Sequence, residues 1–312
     1  MFKKLHFPLI SLAVAIIATA ANARQTVPYT VAETGKGFAH LQEAVDAIGS
    51  GTGTIRFASM RFADCAVQQA GNITYVAAVP GKSVLEGVAC EGKAALVLRG
   101  KSARIKGLVF ANIRVPDKNG AGIRLEQGDL AISQSWFRDS EQGILAGNDT
   151  KAKVTIDKST FTRLGTCEAD CAHSVYIGDY GAVTVTRSRF EAGRGGHYVK
   201  SRSARITVMN SSFDDTGGRA TNYMIDLPAG AVGRIADNWF VQGRNKENYS
   251  AFIAVSAEDK WHPSAGLVVE NNNARFASGV SRTSTFVADW SGEQLRIAGN
   301  DLGPGLKRFD RR

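Results

Sequence analysis

Past its first two dozen residues the sequence has no apolar run long enough to cross a bilayer, so the remaining chain is expected to be soluble. Cysteine is scarce, with only Cys65, Cys90, Cys167 and Cys171. These lie in two distant regions, so a zinc centre would need ligands to converge across the chain, and no cofactor is expected. Arg and Lys are scattered and gather in no stripe, which argues against nucleic acid as a partner. Asp170, Asp179, Asp214 and Asp215 sit in no loop with a recognised calcium spacing, so no metal site is named; calcium enters only if those oxygens converge. Acidic side chains are the minority charge, 29 against 38 basic, for a formal net charge of +9.

What is present begins with "MFKKLHFPLISLAVAIIATAANA". Lys3 and Lys4 precede an apolar run from Phe7 to Ala21, and Ala21, Asn22 and Ala23 form a small-x-small ending. Residues 1–23 therefore read as a secretory signal peptide cleaved before Arg24, and the mature protein as periplasmic or secreted. With Lys3 and Lys4 removed, residues 24–312 keep a formal charge of +7. That field favours an anionic partner, and in this compartment an acidic polysaccharide or oligosaccharide fits best. Nothing in the sequence addresses oligomeric state. An oxidising route allows disulfides, and of three formal pairings the order along the chain favours Cys65 with Cys90 and Cys167 with Cys171.

In "GKGFAHLQEAVDAIGSGTGTIRFA", Phe38, Leu41, Ala44, Val45 and Ile48 recur with helical spacing before Gly49, Gly51 and Gly53 end the helix. A strand is expected at Thr54 to Ala58. Beyond it a repeat emerges: "IKGLVF", "ISQSWF", "IDKSTF", "VTRSRF", "VMNSSF", "IADNWF", "VENNNA" and "IAGNDL". Their fourth positions are Leu108, Ser135, Ser159, Ser188, Ser211, Asn238, Asn272 and Asn300, separated by 27, 24, 29, 23, 27, 34 and 28 residues. The period is too short for a propeller blade, and the units hold no helical stretch. Each unit has two or three short β runs broken by Gly, Ser, Asn and Asp, the pattern of a solenoid with loops inserted on one face. The expected fold is all-β: a right-handed, single-stranded parallel β-helix with an N-terminal capping helix. One domain spans residues 24–312, with a cap region over about 24–58, coils over about 59–302 and a basic C-terminal tail over 303–312. The Ser and Asn residues should line one corner as a ladder. Phe110, Phe137, Phe161, Phe190, Phe213 and Phe240, two residues later, should stack inside.

With "FAHLQEAVDAI" and "GTIRFA" at its start, the region from about Phe38 to Leu302 resembles the pectate-lyase-like right-handed parallel β-helix superfamily. The resemblance implies architecture; lyases, hydrolases, esterases, epimerases and noncatalytic proteins share it. The clustered aspartates and "GHG" of polygalacturonases are absent, "GGHYV" keeping only Gly-His, and no "DFIFG"-like segment of pectin methylesterases follows.

A second set of strands aligns between the repeats: "GILAG", "SVYIG", "YVKSR", "MIDLP" and "FIAVS". Period-two alternation sends Ile144, Val175, Val199, Ile225 and Ile253 inward and leaves Leu145, Tyr176, Lys200, Asp226 and Ala254 outward. The flanking outward columns hold Ser174, Tyr198, Met224 and Phe252 on one side and Gly178, Arg202 and Pro228 on the other. His173, His197 and Tyr223 stand just before this strand, where alternation points inward but a bend at Cys171, Gly195 or Gly196 could turn them out. Crowded together, Arg194, His197, Lys200, Arg202 and Arg205 beside His173 and Tyr176 read as a pocket for an anion.

That set suits β-elimination on a uronic-acid-containing glycan. A guanidinium of Arg202 or Arg194 would hold the uronate carboxylate and stabilise the charge that develops when the neighbouring proton leaves. Lys200 would be the base, given a pKa lowered from about 10.4 by burial or adjacent cations. Tyr176 or His173 would protonate the leaving group. "YVKSRSARITVMNSSF" is similar to the "VKS" strand of alginate and chondroitin lyases with this fold, which implies Lys200 as base. Those enzymes carry an arginine on the next coil, where this sequence has Asp226, with Arg219 only in the preceding loop. Two alternatives stand beside the lyase. One is a glycoside hydrolase pairing Asp226 with Asp214 or Asp215. The other is a noncatalytic glycan-binding or envelope scaffold protein, with Tyr176, Tyr198, Tyr223, Phe252 and Trp261 as a stacking strip. In the 34-residue coil, "GRNKENYSAFIAVSAEDKWHPS" offers Lys246, Glu247, Asn248 and Tyr249 as subsite residues.

Overall fold

A computed structural model describes residues 1–4, 27–168 and 171–312 of the protein. The expected signal sequence from Leu5 onward and Asp170 lie outside the described residues. From Thr52 on, strands return in sequence steps of three, so each coil adds one strand to each of three sheets of twelve, ten and ten strands. Neighbouring strands within each sheet are parallel; at the start, Tyr29–Val31 pairs antiparallel with Gly37–Phe38 and Thr52–Phe57. The observed strand Thr52–Phe57 covers most of the expected one.

The helix spans Leu41–Ile48 and buries Leu41, Ala44 and Val45 over the first coils. Its N-terminal amides are met from two sides: Leu41 donates to Asp64 Oδ2 at 2.8 Å, and His40 donates to Glu43 Oε2 at 3.4 Å. Cys65 is joined to Cys90, and Cys167 to Cys171.

The corner between the first and second sheets explains the repeat. Gln134, Lys158, Arg187, Asn210, Asp237 and Asn271 all adopt positive φ, between 47° and 59°, each one residue before a ladder position. The following Ser or Asn then takes an amide bond from the coil before it: Ser135 N–H donates to Ser159 Oγ at 3.3 Å, Ser188 to Ser211 Oγ at 3.1 Å, and Asn238 to Asn272 Oδ1 at 3.1 Å. Serine hydroxyls also close the turn locally, as Ser188 Oγ donates to Thr186 O at 2.9 Å. Each ladder residue thus satisfies amides that a sharp buried corner would otherwise orphan.

Two residues on, the phenylalanines pair in register and stack at centroid distances of 4.8 to 4.9 Å. The strand spacing imposes this face-to-face geometry, and each pair contributes about 0.5–1.5 kcal/mol beyond area burial. At the other end, the segment read as a tail departs from expectation. Leu306–Arg311 is the last strand of the third sheet, pairing with Ser284–Asp289.

Candidate functional site

The third sheet aligns Val175–Ile177, Val199–Ser201, Ile225–Leu227 and Ala251–Val255. Leu145, Tyr176, Lys200, Asp226 and Ala254 share one register column, as the alternation predicts. Lys200 and Asp226 are nevertheless only 8% and 2% exposed, because something covers them.

The cover is the segment that leaves the Ala251–Val255 strand, residues 256–264. Its backbone is tied to the coil below: Ser256 N–H donates to Leu227 O at 2.8 Å, Asp259 to Pro228 O at 2.8 Å and His262 to Ala229 O at 3.0 Å. From this strap Glu258 reaches down between two cations. Lys200 Nζ donates to Glu258 Oε1 at 2.6 Å, and Arg202 donates to Glu258 Oε2. Arg202 also donates to Asp259 Oδ2 at 3.2 Å and through Nε to the Tyr176 hydroxyl at 3.1 Å, while its guanidinium lies 5.1 Å from the Trp261 ring. His262 Nε2 is 2.9 Å from Asp179 Oδ1. Burial pushes the Glu258 carboxyl up, but hydrogen bonds and charge from Lys200 and Arg202 outweigh it and hold the group below its usual value.

His173, His197 and Tyr223 form a second, parallel ladder. His173 and His197 rings stack at 5.0 Å, and His197 and Tyr223 at 5.5 Å. Both histidines face the outward column: His173 meets Tyr176 edge-on at 5.3 Å, and His197 Nε2 lies 3.4 Å from Asp226 Oδ2. The turn is made at Gly196, whose φ is 57° and where a Cβ would fall 2.2 Å from Ala172 O. His197 N–H donates to His173 Nδ1 at 3.0 Å, so the neutral His173 carries its proton on Nε2. Burial, with Lys200 nearby, lowers His173 to about 3; burial, His173 and Lys200 lower His197 well below its ordinary value. Both rings are neutral at physiological pH. Asp226 moves the other way, raised to about 6 chiefly by burial although Lys200, 3.4 Å away, opposes the shift. Two buried atoms here, Asp226 Oδ1 and His197 Nδ1, have no protein hydrogen-bond partner.

The family profile of the right-handed β-helix region matches residues 94–302, a span that includes every residue of this cluster. The chain belongs to the right-handed β-helix family. Comparison with curated proteins returns no match. Among solved structures, ORF18 of Geobacillus virus E2 is similar, with a TM-score of 0.50 and 14% sequence identity. The alignment covers 86% of this chain and 55% of that one, so the β-helix protein spans about half the length of this relative. The likeness is one of fold.

Other residues read from the sequence as site members are placed elsewhere in this β-helix protein. Tyr198 turns inward with Met224 and Phe252, because His197 takes the outward direction and two consecutive residues then point to the core. Its hydroxyl donates to Asp215 Oδ1 at 2.6 Å, which excludes it from a sugar-stacking strip. Asp215 is sealed: it also accepts from Thr221 Oγ1 at 2.8 Å and Lys246 Nζ at 3.2 Å, and no surface remains for a groove. Asp214, the last residue of the strand Ser212–Asp214, accepts from the Thr216 amide. Neither aspartate is joined to Asp226, so the structure lends the two-carboxylate hydrolase reading no support. The Lys246 side chain is wholly buried, which removes it as a subsite residue. Arg194 lies 3.5 Å from Asp139, and Tyr249 packs under Arg282 at 4.8 Å, both apart from the cluster. Glu258, Asp259 and His262 are the members the sequence reading missed. The signal was present, since "AEDKWH" directly follows the strand one coil beyond Asp226. Among the described residues no group of three His, Cys, Asp or Glu side chains is arranged to hold a metal.

Proposed function

We propose that this protein binds a uronic-acid-containing glycan along the third sheet and cleaves it by β-elimination. One observation carries the reading: Lys200 and Arg202 clasp the carboxylate of Glu258 between them. Two cations two residues apart, bridged by one carboxylate, form a ready receptor for a sugar carboxylate of the same shape. The Glu258 side chain is 42% exposed and the strap backbone is anchored independently, so a side-chain swing suffices to vacate the receptor.

With the substrate carboxylate held there, its charge is neutralised and the adjacent C–H becomes more acidic. Lys200 is then a carboxylate ligand, and proton transfer falls to Tyr176, whose hydroxyl is already bonded to Arg202. The Tyr176 oxygen accepts the C–H proton as its own hydroxyl proton passes to the leaving group. The C–H electron pair becomes the new C=C bond, the glycosidic C–O bond breaks, and the leaving oxygen carries away the proton of the Tyr176 hydroxyl. Asp226 and His197 back the reacting face. A second reading, noncatalytic glycan binding, is favoured by the near-complete burial of Lys200 and Asp226.

The test is incubation with alginate, polygalacturonate, glucuronan and glycosaminoglycans while following the ultraviolet absorbance of an unsaturated product. Turnover lost in Tyr176→Phe, with binding retained, supports elimination. Binding by the wild type without unsaturated product across the panel selects the noncatalytic reading.

A further inference from the structure

The second sheet carries a feature that the chemistry of the third does not use. Its outward column reads Val109, Trp136, Thr160, Arg189, Ser212, Trp239 and Asn273 in continuous register. Trp136 and Trp239 are 39% and 44% exposed, although the core beneath them is already filled by Phe137 and Phe240. Core packing therefore gives no reason for an indole at either position. Four rungs separate the two rings, ~19 Å at the strand spacing of a sheet. Thr160, Arg189 and Ser212 between them leave a polar floor.

Each indole has a guanidinium over one face of its ring, which leaves the other face for a ligand. The Arg138 guanidinium lies 5.3 Å from the Trp136 ring and that of Arg275 lies 4.3 Å from the Trp239 ring. Trp136 Nε1 also donates to Thr162 Oγ1 at 3.2 Å. Beside Trp239 an open groove of about 680 Å³ crosses four successive coils, from Arg187 and Arg189 through Asn210 and Asp237 to Asn273. The groove therefore runs along the solenoid axis, with donors and acceptors on its rim and a fixed aromatic plate in its wall.

This construction selects its occupant. A second protein would need a continuous apolar patch, and here two isolated rings are parted by a polar floor. A linear glycan presents the complement: apolar C–H faces recurring along an extended chain, rimmed by hydroxyls. We propose that the outward face of the second sheet is a glycan-binding site in which Trp239, with Trp136 as a second anchor, stacks on sugar rings of a polysaccharide lying along the axis. The site holds polymer and is independent of the reaction at the third sheet.

The experiment measures binding of alginate, polygalacturonate, xylan and soluble cellulose by affinity electrophoresis and calorimetry. It compares the full chain with Trp239→Ala, Trp239→Phe, Trp136→Ala, the double alanine variant and Lys200→Met. Expected is a loss of roughly tenfold in affinity for at least one polymer in Trp239→Ala. The double variant loses more, the phenylalanine variant keeps most of the binding, and circular dichroism and thermal unfolding stay unchanged. Lys200→Met should retain this binding even where third-sheet turnover is gone, so the two sites fail separately. The proposal is overturned if the double variant binds like the wild type, or if the wild type binds no member of the panel. It is equally overturned if sedimentation shows self-association that Trp239→Ala abolishes, since the face would then be a protein interface.

Discussion

Two lysine–aspartate pairs are buried in nearby coils, and they are built differently. Lys246 and Asp215 expose no side-chain surface, and Asp215 is matched on every side: by Tyr198 Oη at 2.6 Å, Thr221 Oγ1 at 2.8 Å, the Gly243 amide at 3.1 Å and Lys246 Nζ at 3.2 Å. In the Lys200–Asp226 pair the separation is 3.4 Å, Asp226 Oδ1 has no protein partner, and the short bond of the ammonium goes to Glu258 on the strap. The first pair is closed on itself and sutures the long coil to its neighbour. The second is closed only by a side chain that can leave. Buried polar groups with unmatched atoms are costly, and in the proposed function these lie beside the cations that would hold the substrate carboxylate.

Breaking the closed pair should have the largest effect. Lys246→Met strands Asp215 without its cation, and the expected loss is about 3–5 kcal/mol of unfolding free energy in urea titrations. A loss below about 1 kcal/mol would show that the pair is not closed and would remove the contrast. Next comes the pH dependence of the open pair. Asp226 is raised to about 6 in the fold, against 3.8 for the ordinary group. Between those values the unfolded chain gives up its proton first, so the native state binds more protons and stability falls as pH rises. At 1.36 kcal/mol per unit the loss totals roughly 3 kcal/mol, complete above about pH 6. Asp226→Asn lacks this titration, so its stability relative to wild type should climb from pH 4 to pH 7. Equal curves for the two proteins would place Asp226 among ordinary carboxylates.

Much of the fold behind this contrast was legible in the sequence, and the contrast itself was not, for a physical reason. The ladder from Ser135 to Asn300, the phenylalanine stack and the register of Tyr176, Lys200 and Asp226 all follow from one repeat. A residue that satisfies a corner amide must recur at every corner, and period-two alternation orders what lies between. Alternation fails at Gly195 and Gly196, where a bend turns His197 out and sends Tyr198 and Val199 inward together. A stretch with two positive-φ glycines loses count of its faces, and Tyr198 is misread there. Glu258 is invisible for another reason: it lies 58 residues from Lys200, and only the stacking of coils brings it back over the sheet. The pairing of Lys246 with Asp215 is hidden in the same way, 31 residues apart in a coil that breaks the period.

The smallest stability effect should come from Glu258→Gln, and it discriminates most sharply between the two pairs. Glutamine keeps the shape of the side chain and an acceptor for Lys200, while the strap stays tied through Ser256, Asp259 and His262. Glu258 is exposed enough for solvent to screen its charge, so about 0.5 kcal/mol or less should be lost. Affinity for short uronate oligosaccharides should rise instead, because Lys200 and Arg202 no longer have their charge answered from within. Lys200→Met should lower that affinity in either background, and calorimetry reads both changes. If Glu258→Gln destabilised the fold as much as Lys246→Met, or left uronate binding unchanged, Glu258 would be a suture like Asp215, and the carboxylate receptor would lose its support.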